Sequence, residues 1–173
     1  RAQPYQVVFK AQDLGNAVPL VDSETRQISV ISPPVVNVAA APVGYSMIVS
    51  WSPNECANGL NSAQQALGGY LVYRRPELEA TDWEPMLCET GVPESAGYDW
   101  VGEINGLDQV GWLDETRLDF GVTYCYRVVT RYDDGALSLA SEEACGRIRK
   151  DIPVMTRASI QTTGFSDSLF VGW

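Results

Sequence analysis

The fold class predicted from the sequence is all-β, and three observations predict it. Short runs of alternating apolar and polar residues dominate the 173 positions. No window of about 11 or more residues carries a capped 3.6-residue period. An Asp134-Gly135 pair lies between two strand-like runs, where Gly supplies the positive φ that a hairpin turn needs.

In chain order, Tyr5 to Ala11 and Gln27 to Ile31 read as strands on either side of a polar, turn-rich stretch. Pro33-Pro34 punctuates the chain. Runs at Val35 to Ala41, Tyr45 to Trp51, Gly69 to Arg74, Trp83 to Leu87, Val110 to Leu113, Val122 to Tyr132 and Ala136 to Ala144 are the next strand candidates. Asn61 to Leu67 allows at most one helical turn. In the strongest run, Tyr124, Tyr126 and Val128 share one face, and Cys125, Arg127 and Val129 share the other. The first face is the expected core, because Arg127 and Arg131 mark the second as outer.

An internal repeat sets the domain organisation. Ser46-Met47-Ile48-Val49-Ser50-Trp51 returns 122 positions later as Ser168-Leu169-Phe170-Val171-Gly172-Trp173, and Pro33-Pro34-Val35-Val36 is echoed by Ile152-Pro153-Val154-Met155. A lone two-stranded ribbon has no partner for its apolar face. The expected division is residues 1–32 as the last strands of a preceding domain, 33–151 as one complete domain, and 152–173 as the first strands of a following one. The opening Arg1-Ala2-Gln3-Pro4, with neither initiator Met nor signal peptide, fits an internal piece of something longer.

Composition removes several functions. With 22 Asp plus Glu against 12 Lys plus Arg, the formal charge is −10, and no basic stripe offsets it, so nucleic acid is not an expected partner. No stretch approaches the ~20 apolar residues that span a bilayer. The chain has no histidine, which removes Ser–His and Cys–His nucleophiles and the commonest metal ligand. Two-carboxylate glycoside hydrolysis survives that test. However, the eleven carboxylates scattered from Glu77 to Glu115 read as solvated surface, since a small sandwich offers no deep cleft.

Val49-Ser50-Trp51-Ser52-Pro53, then Gly69-Tyr70-Leu71-Val72-Tyr73-Arg74-Arg75, then Gly121-Val122-Thr123-Tyr124-Cys125-Tyr126-Arg127-Val128-Val129 together resemble a fibronectin type III domain. The resemblance implies a seven-stranded, two-sheet, immunoglobulin-like sandwich flanked by partial β-sandwich domains. It places Trp51, Tyr70, Val72, Tyr124 and Val128 in the core and has Tyr124 make the corner hydrogen bond that closes the sandwich. Residues 33–151 number 119, more than the about 100 of such sandwiches. The excess falls at Asn54 to Gly68 and Glu89 to Asp108.

A narrower match, through Cys88 to Pro93, Tyr124 to Val129, Asp134 to Cys145 and Lys150 to Thr156, is similar to repeats of very long bacterial surface proteins associated with gliding motility and exported by type IX secretion. It covers residues 33–173, implies an extracellular, bacterial cell-surface location, and supplies no catalytic residue. Residues 1–32 look like the close of an immunoglobulin- or cadherin-like repeat.

In an exported module the four cysteines allow three pairings. Cys125 and Cys145 each lie ten positions from Gly135 and can face each other across the hairpin, provided that they occupy a narrow, non-hydrogen-bonded pair site. That leaves Cys56 and Cys88 to tie the long connections together, a second disulfide worth roughly 3–4 kcal/mol in the chain-entropy model. Four reduced thiols are the alternative. Zinc is disfavoured by the absence of Cys-x-x-Cys and histidine, and no cofactor is expected.

Two readings of function follow. The first is a non-catalytic spacer or scaffold whose partners are the neighbouring domains of its own chain and, beyond them, cell-surface or secretion-machinery proteins. The second is an adhesin or carbohydrate-binding module using Tyr98, Trp100 and Trp112, or an accessory domain of an extracellular hydrolase. Against the second, the same aromatics, with Trp83, can fold the long connection back over the sandwich. Asp13, Asp22 and Glu24 are the one place where an interdomain calcium ion is conceivable.

Overall fold

The computed structural model describes residues 3–15, 20–53, 56, 68–149, 157–162 and 168–172. Its strands are β1 (Tyr5–Gln12), β2 (Val21–Ile28), β3 (Val36–Val43), β4 (Ser46–Ser52), β5 (Gly69–Pro76), β6 (Asp99–Asn105), β7 (Gly111–Asp114), β8 (Thr123–Arg131), β9 (Ala144–Arg147), β10 (Arg157–Thr162) and β11 (Ser168–Gly172). β3-β4-β7 form one sheet and β6-β5-β8-β9 a second. These seven strands, three facing four and all paired antiparallel, are the sandwich that the sequence resemblance implies: the fold is all-β, of fibronectin type III, immunoglobulin-like architecture. β1–β2 and β10–β11 are separate antiparallel ribbons before and after it. The expected strand at Ile152 to Met155, the repeat's Trp173, and the expected turn at Asn61 to Leu67 lie outside the described residues.

The core lies between the two sheets. Val35, Met47, Val49, Trp51, Tyr70, Val72, Leu107, Leu118, Tyr124, Tyr126, Val128 and Ile148 form one buried cluster. At ~25 cal/mol per Å2 of apolar area, each such side chain contributes about 1.5–3 kcal/mol by leaving water. Trp51 and Tyr124 are both in it, although the ring that Trp51 meets is Tyr70, edge-on with centroids 5.1 Å apart. The Tyr70 hydroxyl donates to the Leu107 carbonyl (2.8 Å), and burial pushes its pKa up to about 12. The Tyr124 hydroxyl accepts the Asp119 N–H at 3.3 Å, five residues upstream, which pins the connection from β7 at the start of β8.

Four sequence expectations need correction. The second strand of the first ribbon is Val21–Ile28, not Gln27 to Ile31; both faces of β2 are exposed, so no apolar alternation marks it. Trp83 to Leu87 is not a strand, because Pro85 cannot donate to a ladder. The strand beside β5 is instead Asp99–Asn105, whose alternation is broken where Val72 pairs with Gly102 and Tyr73 with Trp100, leaving Val101 as an extra residue.

Ala136 to Ala144 is not one continuous strand either. The Asp134-Gly135 turn forms as expected, with Gly135 at φ +80° and its N–H on the Tyr132 carbonyl. Beyond it, the hydroxyls of Ser138 and Ser141 accept the N–H groups of Thr130 and Val128, each at 2.9 Å, in place of main-chain carbonyls. Regular pairing returns only at Ala144–Arg147. Finally, the outer face of β8 is not solvated: Cys125, Arg127 and Val129 are all buried. Residues 77–98, which include two single 3-10 turns (Glu77–Glu79 and Glu94–Ala96), supply groups that pack on it.

Candidate functional site

The outer face of β6-β5-β8-β9 carries two groups of polar and aromatic side chains. Cross-strand register sets the rows: Trp100 opposite Tyr73 opposite Arg127, and beside them Glu103 opposite Leu71 opposite Val129.

The first part lies under the 77–98 connection. Arg127 donates from Nε to the Tyr98 hydroxyl (2.9 Å) and from Nη1 to the Ser141 carbonyl (2.7 Å), and its guanidinium lies 5.3 Å from the Trp83 ring centroid. Arg75 pairs with Glu143 at 2.7 Å and lies 4.5 Å from the Tyr98 ring centroid. The Tyr98 hydroxyl also donates to Glu143. Burial, with the Glu143 carboxylate beside it, pushes Tyr98 up to about 12. Burial alone would raise Glu143, yet the hydrogen bonds from Tyr98 and Arg75 outweigh it and hold the carboxyl below its usual value. Arg127 also reaches the exposed Glu84 carboxylate at 3.3 Å, so each guanidinium has a carboxylate partner and the cluster works as a latch that fastens the connection to the sheet. Tyr98 was expected as an exposed binding residue; it is 7% exposed and belongs to this latch.

The second part is open. Trp100 is 61% exposed, and its indole N–H donates to the Gly102 carbonyl at 2.9 Å, which holds the ring along its own strand. Trp112, the other tryptophan expected to bind, packs on the core side instead. Its ring sits 2.5 Å from where a Cβ on Gly102 would stand, so glycine is required there. Arg131 crosses to β6, reaching Glu103 at 2.7 Å and Asn105 at 3.2 Å.

A further ion pair lies inside the sandwich. Asp114, fully buried rather than solvated as the sequence suggested, accepts from Arg74 (2.7 Å), the Tyr126 hydroxyl (2.9 Å), and both the N–H and hydroxyl of Thr116. Burial by itself would raise its pKa; the hydrogen bonds from Thr116, Arg74 and Tyr126 more than cancel that and leave it lowered. Tyr126 is pushed well above the usual tyrosine range by burial and by the Asp114 charge.

Cys125 and Cys145 are directly paired in register and joined as a disulfide, with Cα atoms 4.0 Å apart, the close spacing of a narrow pair site. The expected Cys56–Cys88 bond is not formed; both thiols are free and exposed. Among the described residues, the one cysteine–carboxylate group compact enough for a metal ion is Cys125, Cys145 and Glu143, and its sulfurs are bonded to each other. Asp13, Asp22 and Glu24 form no such group: Asp13 caps its own turn through the Gly15 N–H, and Glu24 pairs with Arg26.

The sequence reading missed Arg75, Arg127 and Glu143 as a cluster, and missed Tyr73 beside Trp100. Arg75 and Arg127 do share the outer face with Cys125 by parity, a signal that was legible. Nothing local announces Glu143.

No protein-family model and no curated protein sequence matches the chain. Among solved structures, it is similar to fibronectin domains FN1–FN3 of chicken CNTN1 (14% identity, TM-score 0.47, 96% of this chain and 52% of that one). It is also similar to titin module A71 from human cardiac muscle (18%, 0.45, 73% and 100%) and to the twitchin kinase region of C. elegans (16%, 0.47, 76% and 19%). The chain thus spans about a fifth of the twitchin chain and about half of the CNTN1 chain. The fold assignment rests on the strand order itself.

Proposed function

We propose that the chain is a non-catalytic β-sandwich spacer, built to hold neighbouring domains of the same protein at a fixed separation. The observation that carries this reading is the junction ahead of β3. The Ser32 carbonyl accepts the Leu139 N–H at 3.1 Å, and its hydroxyl bonds the Tyr132 hydroxyl at 2.6 Å. The segment between β2 and β3 is therefore fastened to the sandwich at Ser32, directly ahead of β3. The serine-interrupted stretch before β9 makes this possible, since Ser138 and Ser141 satisfy β8 through their side chains while Leu139 turns its N–H to the junction.

The charged groups support the absence of catalysis. Asp114 and Glu143 are held ionised, the opposite of what a general acid requires at neutral pH. A cross-strand disulfide in a sandwich of this class belongs to an extracellular domain. Among the described residues no helix is long and apolar enough to cross a membrane. The finer setting we assign from the sequence resemblance alone: a large exported bacterial surface protein connected with gliding motility or adhesion, with residues 1–32 and 152–173 belonging to the adjoining domains. Limited proteolysis with a broad-specificity protease tests the spacer reading. A fastened junction resists cleavage between Ser29 and Val35; early cleavage there, with the 33–149 body intact, marks a hinge and overturns it.

A further inference from the structure

We infer that the open part of the outer face, centred on Trp100 and Tyr73, is a binding platform for a neutral oligosaccharide. The inference goes beyond the spacer reading and stands or falls separately from it. Trp100 and Tyr73 are directly opposite on β6 and β5, one strand spacing of about 4.8 Å apart in the backbone, so both side chains belong to the same row of the outer face. Leu71 extends the apolar strip along β5, and the Glu103–Arg131–Asn105 group borders it.

Four properties select the ligand class. The Trp100 indole is already held by its bond to the Gly102 carbonyl, so docking a ring on it costs little further side-chain ordering. The patch lies on the face of a sheet, which suits a stacked pyranose better than a helix needing a groove. The bordering carboxylate, guanidinium and amide present planar acceptors and donors to hydroxyl groups, and Glu103 and Arg131 cancel each other's charge. A chain of net charge −10 repels polyanions, leaving a neutral ligand favoured over an acidic one.

Size argues against a protein partner. One exposed tryptophan offers at most about 150–250 Å2. A stable protein interface needs about 800 Å2 per partner. Tyr73 and Leu71 are partly buried and add too little to close that gap.

The test is titration of the whole chain with cellohexaose, laminarihexaose and xylohexaose in turn, followed through the indole N–H resonances. At least one should move the Trp100 indole and the Tyr73 amide at about 1 mM sugar, the weak end of specific binding. Trp100→Ala should weaken that sugar at least about tenfold without changing the melting temperature. If Trp100→Ala fails to fold, Trp100→Phe serves instead, and the wild-type shifts need no variant. No movement of the Trp100 indole with any of the three, binding untouched by the Trp100 variants, or tighter binding of hexagalacturonate than of every neutral hexamer would overturn the inference.

Discussion

Tyr124 and Asp114 show how single residues close the sandwich. Tyr124→Phe removes only the hydroxyl that accepts the Asp119 N–H, and it should cost about 1 kcal/mol, read as a lower denaturant midpoint with an unchanged slope. Asp114→Ala is a larger change. It leaves the Arg74 guanidinium and the buried Tyr126 hydroxyl without their acceptor, and truncating one partner of a buried pair typically costs about 3–5 kcal/mol. The Arg127–Glu84 contact is different in kind, because Glu84 is largely exposed; Glu84→Gln should leave stability nearly unchanged.

The sequence exposed some of these residues and hid others. Trp51, Tyr70, Val72, Tyr124 and Val128 lie at period-2 positions of long runs, so their place between the sheets could be read locally. Asp114 could not be read, since its partners Arg74 and Tyr126 come from two other strands that only the folded register brings together. Tyr98 looked like a binding residue for the same reason: its partners, Arg127 and Glu143, are remote in the chain.

At the level of elements, β6 and the Cys125–Cys145 pair make the sharpest tests. β6 was obscured by its extra residue at Val101, which breaks alternation at the point where Gly102 admits the Trp112 ring. Gly102→Ala would drive a methyl into that ring, and it should destabilise by about 1–3 kcal/mol in a melt, as overpacking does. The disulfide was legible because both cysteines are equidistant from a recognisable turn. Cys56 and Cys88 sit in no paired elements, so no register argument joined them. Alkylation of the native protein should label two cysteines, and after reduction four. Closing its 20-residue separation stabilises by about 3 kcal/mol in the chain-entropy model, so reduction should lower the melting temperature without abolishing the fold.

For the molecule as a whole, pH ties the separate clusters together. Asp114 and Glu143 have folded pKa values below their unfolded ones. Their stabilisation is complete above the unfolded carboxylate range of about 4 and is lost as pH falls through the folded values. Tyr70 and Tyr98 work at the other end: raised from 10.0 to about 12, they add stability that is present below pH 10.0 and lost as pH climbs toward 12. Stability should hold between these limits and decline on both sides, and Asp114→Asn should flatten the acid limb.

The sandwich itself was visible in strand-like runs and one turn. The fastening of the junction was not, because it depends on serine hydroxyls standing in for main-chain acceptors. That fastening is the centre of the account, and backbone 15N relaxation of Ser29 to Ser32 and of Val35 tests it most directly. Order parameters near 0.85, equal to those of β4 and β8, are the predicted result. Values below about 0.6 across Ser29 to Ser32 and at Val35, with a rigid sandwich beyond, would mean a hinge where this account places a strut.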